Sequence, residues 1–346
     1  MVRSRHTVTP FQKKTGSATI GTLAVASALS AFVVPHSRAQ AAPPAAPPAT
    51  VPTLAPAAAP LPAAPAWDKL KAMHAYKLNA PLVVKEEARA DADFKVSHIS
   101  FSNVKGQTVP GLFMRPKAEG VYPCVLILHG LTSDKDTFIN IFGRPLAALG
   151  IASLAIDADM HGERAQKNAP PLARGNLVLL GQIMRGGIAD NRLALDYLQT
   201  RRDVDSKRIG LFGYSMGSIM GAIVSGVDER IAATVLCVGG DPIRRYAAML
   251  PQSMRGDVEA VSPSNYIGHI SPRPVFMING TNDTTISEAD ALLMQNAARE
   301  PKKILWAEAG HILPPSVAAQ GVNWIRDKLL PATTGAAPAA KIASPK

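Results

Sequence analysis

Only two cysteines, Cys124 and Cys237, occur in 346 residues, and neither sits in a CxxC or Cys/His spacing. No cysteine spacing therefore points to a metal site. Basic runs with interleaved aromatics are missing too, so the formal net charge of +11 does not describe a nucleic-acid surface. No internal repeat is visible. The first 41 residues contain no acidic residue but hold Arg3, Arg5, Lys13, Lys14 and Arg38. Of the 37 Lys and Arg residues, 32 then remain against 26 Asp and Glu. So small an excess reads as a solvated basic surface.

What is present at the N-terminus is a basic stretch, then an apolar run from Gly16 to Val34 rich in Ala and Ser, then PHSRAQA. Ala39-Gln40-Ala41 is a small-x-small cleavage site. The layout is that of a secretory signal peptide, 1–41, with the mature chain starting near Ala42. The run is just long enough to span a bilayer, and only an uncleaved segment would hold the chain to a membrane. Its Ala, Thr, Ser and Gly content and the cleavage site favour removal. No twin arginine and no lipid-accepting cysteine accompany it. The expected location is periplasmic or extracellular. Residues 42–66 carry nine prolines in 25 and are almost entirely Ala and Pro. Such a stretch cannot bury a core and reads as an extended linker, with a reach of up to ~80 Å at ~3.1 Å per residue. The tail 332–346 has a similar composition. One domain, 67–331, remains, and 47% apolar residues overall suit a sizeable core.

Inside that domain, strand and helix patterns alternate. AWDKLKAMHAY, from Ala66 to Tyr76, reads as a short amphipathic helix. FKVSHISF and QTVPGLFMRP alternate with period two around Gly106 and predict an antiparallel hairpin at a sheet edge. CVLILHG, IASLAID, RIGLFGY, AATVLCV, PVFMING and KKILWAE are continuous apolar runs, as buried parallel strands require. Helical patterns at 135–149, 182–202, 216–226, 287–299 and 316–330 separate most of them. The expectation is an α/β fold, a mostly parallel eight-stranded sheet with helices on both faces.

The strand RIGLFGY runs into Gly213-Tyr214-Ser215-Met216-Gly217 and then an apolar helix. This is G-x-S-x-G in its strand–turn–helix context. Gly213 and Gly217 lie where the incoming strand and the outgoing helix pass too closely for a side chain. The Ser215 hydroxyl is lifted above the sheet, and the Met216 N–H faces the same space at a helix N-terminus. A serine nucleophile needs a base, and in this arrangement the partners follow in the order Ser, Asp or Glu, His. Asp283, after PVFMING, and His311, after KKILWAE, fall on loops at strand C-termini, where open α/β sheets build sites. Each alone reads as an ordinary turn aspartate or surface histidine; the order and placement together point to a triad. His129-Gly130-Leu131 ends CVLILHG, where the second oxyanion donor belongs, and the Leu131 N–H takes that role. His129 braces the loop in this reading. Asp157, Asp159, His161 and Gly162 look like a metal pair, yet their place after the fourth strand favours loop bracing. His98 reads as a surface residue and His269 as structural.

The segments LILHGLTSDK, IDADMHGE, DVDSKRIGLFGYSMGS, SPSNYIGHISPRPVFMINGTND and AGHIL together resemble the α/β-hydrolase superfamily, over about 95–330. Within it the chain is similar to the dienelactone-hydrolase-like and acetyl-esterase-like groups. Two departures stand out. Dienelactone hydrolases proper use a cysteine nucleophile where Ser215 stands, and MHGER replaces the RGHGES of many relatives. The resemblance implies that the nucleophile strand lies between the strands carrying Cys124 and Cys237. Two strand spacings, ~9.5 Å, exceed the ~7 Å a disulfide allows, so both thiols are expected free and buried.

The resulting expectation is a serine hydrolase acting on a small or medium carboxylic ester through an acyl-serine, with no cofactor and no metal. Region 241–270 is short for a lid. Residues 242–250 form either a helix presenting Tyr246, Met249 and Leu250 to a pocket or a connecting helix packed on the core. Arg244 and Arg245 read as a solvated pair rather than as receptors for an acidic substrate. Two rivals remain. Prolyl-oligopeptidase-like peptidases share such a domain but usually carry a propeller, and a tethered binding module fits the linker but not a complete triad. A dehalogenase is excluded by Ser215, since it needs a carboxylate there. Export predicts that N-terminal sequencing of the protein recovered outside the cytoplasm begins at or next to Ala42; a sequence beginning before Gly16 would mean an uncleaved segment.

Overall fold

Runs such as CVLIL and VFMI have no polar side to offer solvent, so they need cover on both faces. In the computed structural model they become inner strands of a nine-stranded sheet. The structure describes residues 66–78, 81–165, 177–247 and 260–330. The expected signal peptide, all of the linker but Ala66, and the C-terminal tail lie outside the described residues.

The strands are β1 (Val84–Arg89), β2 (Phe94–Ser102), β3 (Thr108–Pro116), β4 (Tyr122–Leu128), β5 (Ala152–Ile156), β6 (Val204–Tyr214), β7 (Ile231–Cys237), β8 (Val275–Gly280) and β9 (Lys302–Ala307). Their order is β1-β2-β3-β5-β4-β6-β7-β8-β9. From β5 to β9 all pairings are parallel, whereas β1, β2 and β3 are antiparallel to their neighbours, β3 pairing with β5. The sheet thus has nine strands rather than the expected eight. The additional strand is β1, VKEEAR, which lies outside the predicted hairpin and takes over the edge. Its side chains are mostly exposed and charged, so it carries no hydrophobic alternation. Backbone pairing with β2 defines it, and charge at an edge discourages pairing with another chain.

Alternate residues of each inner strand face opposite ways, which divides the core in two. Cys124, Leu126, Leu128, Ile209, Leu211, Val275 and Met277 meet the helices Leu177–Thr200 and Met216–Val227 on one side. Val125, Ile127, Phe212, Val235, Phe276 and Ile278 meet Phe138, Phe142, Leu146 and the helix Pro315–Leu329 on the other. The helical pattern at 135–149 is interrupted: a π-type turn, Ile139–Gly143, separates Lys135–Phe138 from Arg144–Ala148. Pro145 lacks the N–H that an unbroken helix would use there. Cys124 on β4 and Cys237 on β7 are buried and free, with β6 between them. Burial pushes both thiols up, away from the reactive thiolate.

The N-terminal helix Trp67–Met73 docks through Trp67, which stacks on His269 at 3.6 Å, and through buried His74. The His74 Nε2–H donates to the Ala260 carbonyl at 2.8 Å, with the Tyr266 hydroxyl 3.0 Å away. Burial lowers the His74 pKa to about 4. His74 therefore contributes its full share of stability above pH ~6.5, its unfolded value, and loses it as pH falls toward 4. Urea unfolding should show up to about 3 kcal/mol lost to this group across that window. His74→Gln, which cannot titrate, should flatten part of the slope; an unchanged slope would contradict the assignment. A Cβ at Gly217 would stand 2.1 Å from the Leu128 carbonyl oxygen, a backbone atom that cannot swing aside. Gly217→Ala should cost at least ~1–3 kcal/mol in the same assay, whereas Gly186→Ala, with nothing within 4 Å, should not destabilise.

Candidate active site

β6 ends at Tyr214 and the helix Met216–Val227 begins two residues later, so the chain reverses its course at Ser215. Ser215 takes φ 55° and ψ −118°, a region side chains rarely occupy. The turn is held because Gly213 and Gly217 leave the strand and the helix in direct backbone contact. The Ser215 N–H donates to the Cys237 carbonyl at 2.9 Å, fixing the turn to the neighbouring strand. The side chain stands at the N-terminus of a 12-residue helix, where negative charge is favoured.

His311 Nε2 lies 2.8 Å from Ser215 Oγ, and His311 Nδ1 lies 2.8 Å from Asp283 Oδ2. The network assigns the Nδ1 proton to the carboxylate side and leaves Nε2 to accept from the serine hydroxyl. The other Asp283 oxygen accepts from the Thr285 and Ile286 N–H groups at 2.8 and 2.9 Å. The Asp283 side chain is 2% exposed and that of His311 23%, so the chain of hydrogen bonds runs from a buried carboxylate toward solvent. Residues 96 and 28 positions apart are brought within hydrogen-bond reach. Such a relay can take a proton from the serine hydroxyl and stabilise the imidazolium that results.

The loop after β4 passes directly over Ser215: a Cβ at Gly130 would lie 3.4 Å from Ser215 Cβ. Leu131 follows Gly130, and Met216 opens the helix, so the two expected oxyanion donors sit on segments flanking Ser215. His129 is buried. Its Nδ1–H donates to the Gly130 carbonyl at 2.8 Å and its Nε2 accepts from Ala158 N–H at 3.0 Å, clasping the loops after β4 and β5. Burial lowers its pKa to about 4, which keeps the ring neutral. Asp157, fully buried, accepts from the Lys135 and Glu163 N–H groups and from Lys135 Nζ, each at 2.9 Å. Gly162, at φ 50°, leaves the space that this carboxylate fills. Asp159 caps Met160 N–H at 3.0 Å, and its carbonyl accepts from His161 Nδ1 at 2.7 Å. His161 Nε2 is buried without a hydrogen-bond partner. The DADMHG segment thus braces loops. His98 pairs with Glu163 at 2.9 Å and remains part-exposed.

Two residues at the site escaped the sequence reading. Lys135, 1% exposed, sits among Asp157 (2.9 Å), Asp136 (3.0 Å) and Glu163 (2.7 Å). Burial opposes its charge, but the hydrogen bonds it donates to Glu163 and Asp157 outweigh that and raise its pKa. Tyr214, the first variable position of G-x-S-x-G, sends its hydroxyl to the histidine loop. Nothing in spacing or composition marks the lysine; the tyrosine lay inside a recognised motif.

Among the described residues, Thr132 (φ 66°), Met160 (61°), Ser215 (55°) and Val238 (47°) are the only non-glycine residues with positive φ. They follow the C-terminal ends of β4, β5, β6 and β7, four segments around Ser215. In region 241–270, a short helix spans Pro242–Ala247. Buried Asp241 accepts from Arg244 N–H (2.9 Å), from Ser264 N–H (3.2 Å) and from the Ser262 hydroxyl. Arg244 donates to Asn265 at 2.9 Å, so it braces this region rather than standing solvated. Met249 and Leu250, and the side chains of Arg245 and Tyr246, lie outside the described residues.

Residues 109–311 match the family model described as the dienelactone hydrolase family. The match runs from β3 through His311 and includes Ser215 and Asp283. The chain is 34% identical over 253 residues to YtaP of Bacillus subtilis (strain 168), named as a hydrolase, covering 64% of this chain and 83% of YtaP. It is 25% identical over 154 residues to the esterase FrsA of Klebsiella pneumoniae subsp. pneumoniae, covering 44% of this chain but only 34% of FrsA. An acetyl xylan esterase from Paenibacillus sp. R4 shares the fold, with a TM-score of 0.63 at 20% identity over 76% of this chain and 93% of that one. With a sheet of α/β-hydrolase type and a family match over more than half its length, the chain is a hydrolase that belongs to the dienelactone hydrolase family.

Proposed function

We propose that this chain is an exported serine esterase that cleaves small or medium carboxylic esters through an acyl-Ser215 intermediate. The observation that carries the reading is the unbroken hydrogen-bonded chain from Ser215 Oγ through His311 to Asp283, at 2.8 Å in each step. His311 takes the Ser215 proton as the oxygen attacks the ester carbonyl, and Asp283 holds the imidazole tautomer and stabilises its charged form. The N–H groups of Leu131 and Met216 receive the developing oxyanion; losing one such donor costs ~3 kcal/mol of barrier. His311 then passes its proton to the departing alcohol, and in the second half-reaction it activates water to release the acid. The sequence between β7 and β8, residues 238–274, holds no long hydrophobic cap, which supports a small or medium ester. Export rests on the signal-peptide pattern of residues 1–41.

A fluorophosphonate probe tests the chemistry without knowledge of the substrate. Mass spectrometry should find the label on Ser215, with none in Ser215→Ala and little in His311→Ala. Asp283→Asn should lower kcat on ester substrates by roughly 10³–10⁴-fold. Folded protein that takes no label would turn the reading toward a tethered binding module. Turnover of aminoacyl anilides but not of esters would turn it toward a peptidase.

A further inference from the structure

We propose that Tyr214 is the positioning residue for His311, tying the histidine loop to the nucleophile strand through its hydroxyl; this rests on the serine hydrolase reading above. The Tyr214 hydroxyl donates to the His311 carbonyl at 2.9 Å and accepts from the Leu313 N–H at 2.9 Å. One side-chain atom therefore holds the main chain on both sides of Ile312.

The topology explains why such a tie is needed. Ser215 follows β6, at the centre of the sheet, but His311 follows β9, its edge strand. Three strand spacings, ~14 Å, separate those strands, so the histidine loop reaches back over the ends of β7 and β8. Leu313 is buried and the Asn282 N–H donates to the Ala309 carbonyl at 2.9 Å, which fixes the loop to the segment after β8, but β9 has no fully buried residue and Ile312, next to the histidine, is 68% exposed. Tyr214 adds an anchor from the strand that leads to Ser215. It is the last residue of β6, paired with Cys237 of β7. Its ring packs edge-on to Phe138 at 5.9 Å and against Phe142 at 6.3 Å. Burial pushes the phenol up to about 12, so the hydroxyl keeps the proton it donates at any working pH. The imidazole itself is reached only at 6.5 Å between ring centroids, edge to face. Tyr214 thus acts through the backbone of His311 and makes no hydrogen bond to the reacting atoms.

Tyr214→Phe removes one oxygen and keeps the ring in its aromatic packing. Misplacing a catalytic group by about 1 Å costs on the order of 10²-fold. The variant should therefore lose roughly 10- to 100-fold in kcat with KM unchanged. Fluorophosphonate should still reach the unsubstituted protein's labelling endpoint, but more slowly. The downfield proton resonance of the His311 Nδ1–H···Asp283 bond should broaden or vanish. Wild-type kcat together with a wild-type resonance would overturn the proposal. A raised KM or a reduced labelling endpoint would also overturn it, since either shows structural damage rather than misplacement of the base. Failure of the unsubstituted protein to label would remove the serine hydrolase reading first, and this proposal with it.

Discussion

At Gly217 the main chain runs against the carbonyl of Leu128 with no room for a side chain. That contact between the start of a helix and the end of β4 sets the geometry of the whole site. It goes with the unusual backbone angles at Ser215 and brings that residue beside the His129-Gly130-Leu131 loop. It also places Ser215 at the beginning of the helix, where the first N–H groups have no helical acceptor. A longer turn would leave the serine deeper and the two loops apart.

Strain at the site is offset by bonds around it. Four non-glycine residues at successive strand ends hold positive φ, each at a cost of order 1–3 kcal/mol. The surroundings over-determine these conformations. Ser215 N–H is fixed to Cys237, and Val238 N–H to Ile278 at 2.7 Å. The loops carrying Thr132 and Met160 are joined by His129, Asp157 and Lys135. The lysine–aspartate pair is a poor source of net stability, because both charges leave water. Its service is geometric: one carboxylate receives two backbone N–H groups and an ammonium, and so sets the distance between the two loops that border Ser215.

Most of the fold was legible because buried parallel strands leave long apolar runs. β4 through β8 stand where such runs occur, whereas β9, at KKILWA, is the edge strand and has no buried residue, so the expectation of a buried strand fails there. β1 was not legible, since VKEEAR presents most of its side chains to solvent without hydrophobic alternation, and its Glu86 is held by Tyr197 and Arg201, far away in the sequence. The π-type turn at Ile139–Gly143 was also invisible to a periodicity count. For the site, G-x-S-x-G and the order of Asp283 and His311 named the loops, but the distances between them depend on strand order and register. The bracing residues were the least legible. A buried lysine is identical in sequence to a surface one, and the hydroxyl of Tyr214 finds its partners 97 and 99 residues away.

The position of β4 also governs the order in which the molecule can form. Its neighbours are β5 and β6, and β6 does not end until Tyr214. Beyond it the sheet must still add β7, β8 and β9, which begins at Lys302. A chain emerging N-terminus first can make the antiparallel ribbon of β1, β2 and β3 early. The central parallel pairs then wait for segments synthesised much later. Non-local pairing of this kind slows folding, because loop closure is paid for before contacts reward it. Slow closure of the sheet's centre keeps the growing chain open for longer, with the apolar faces of its early strands uncovered until β6 has been made.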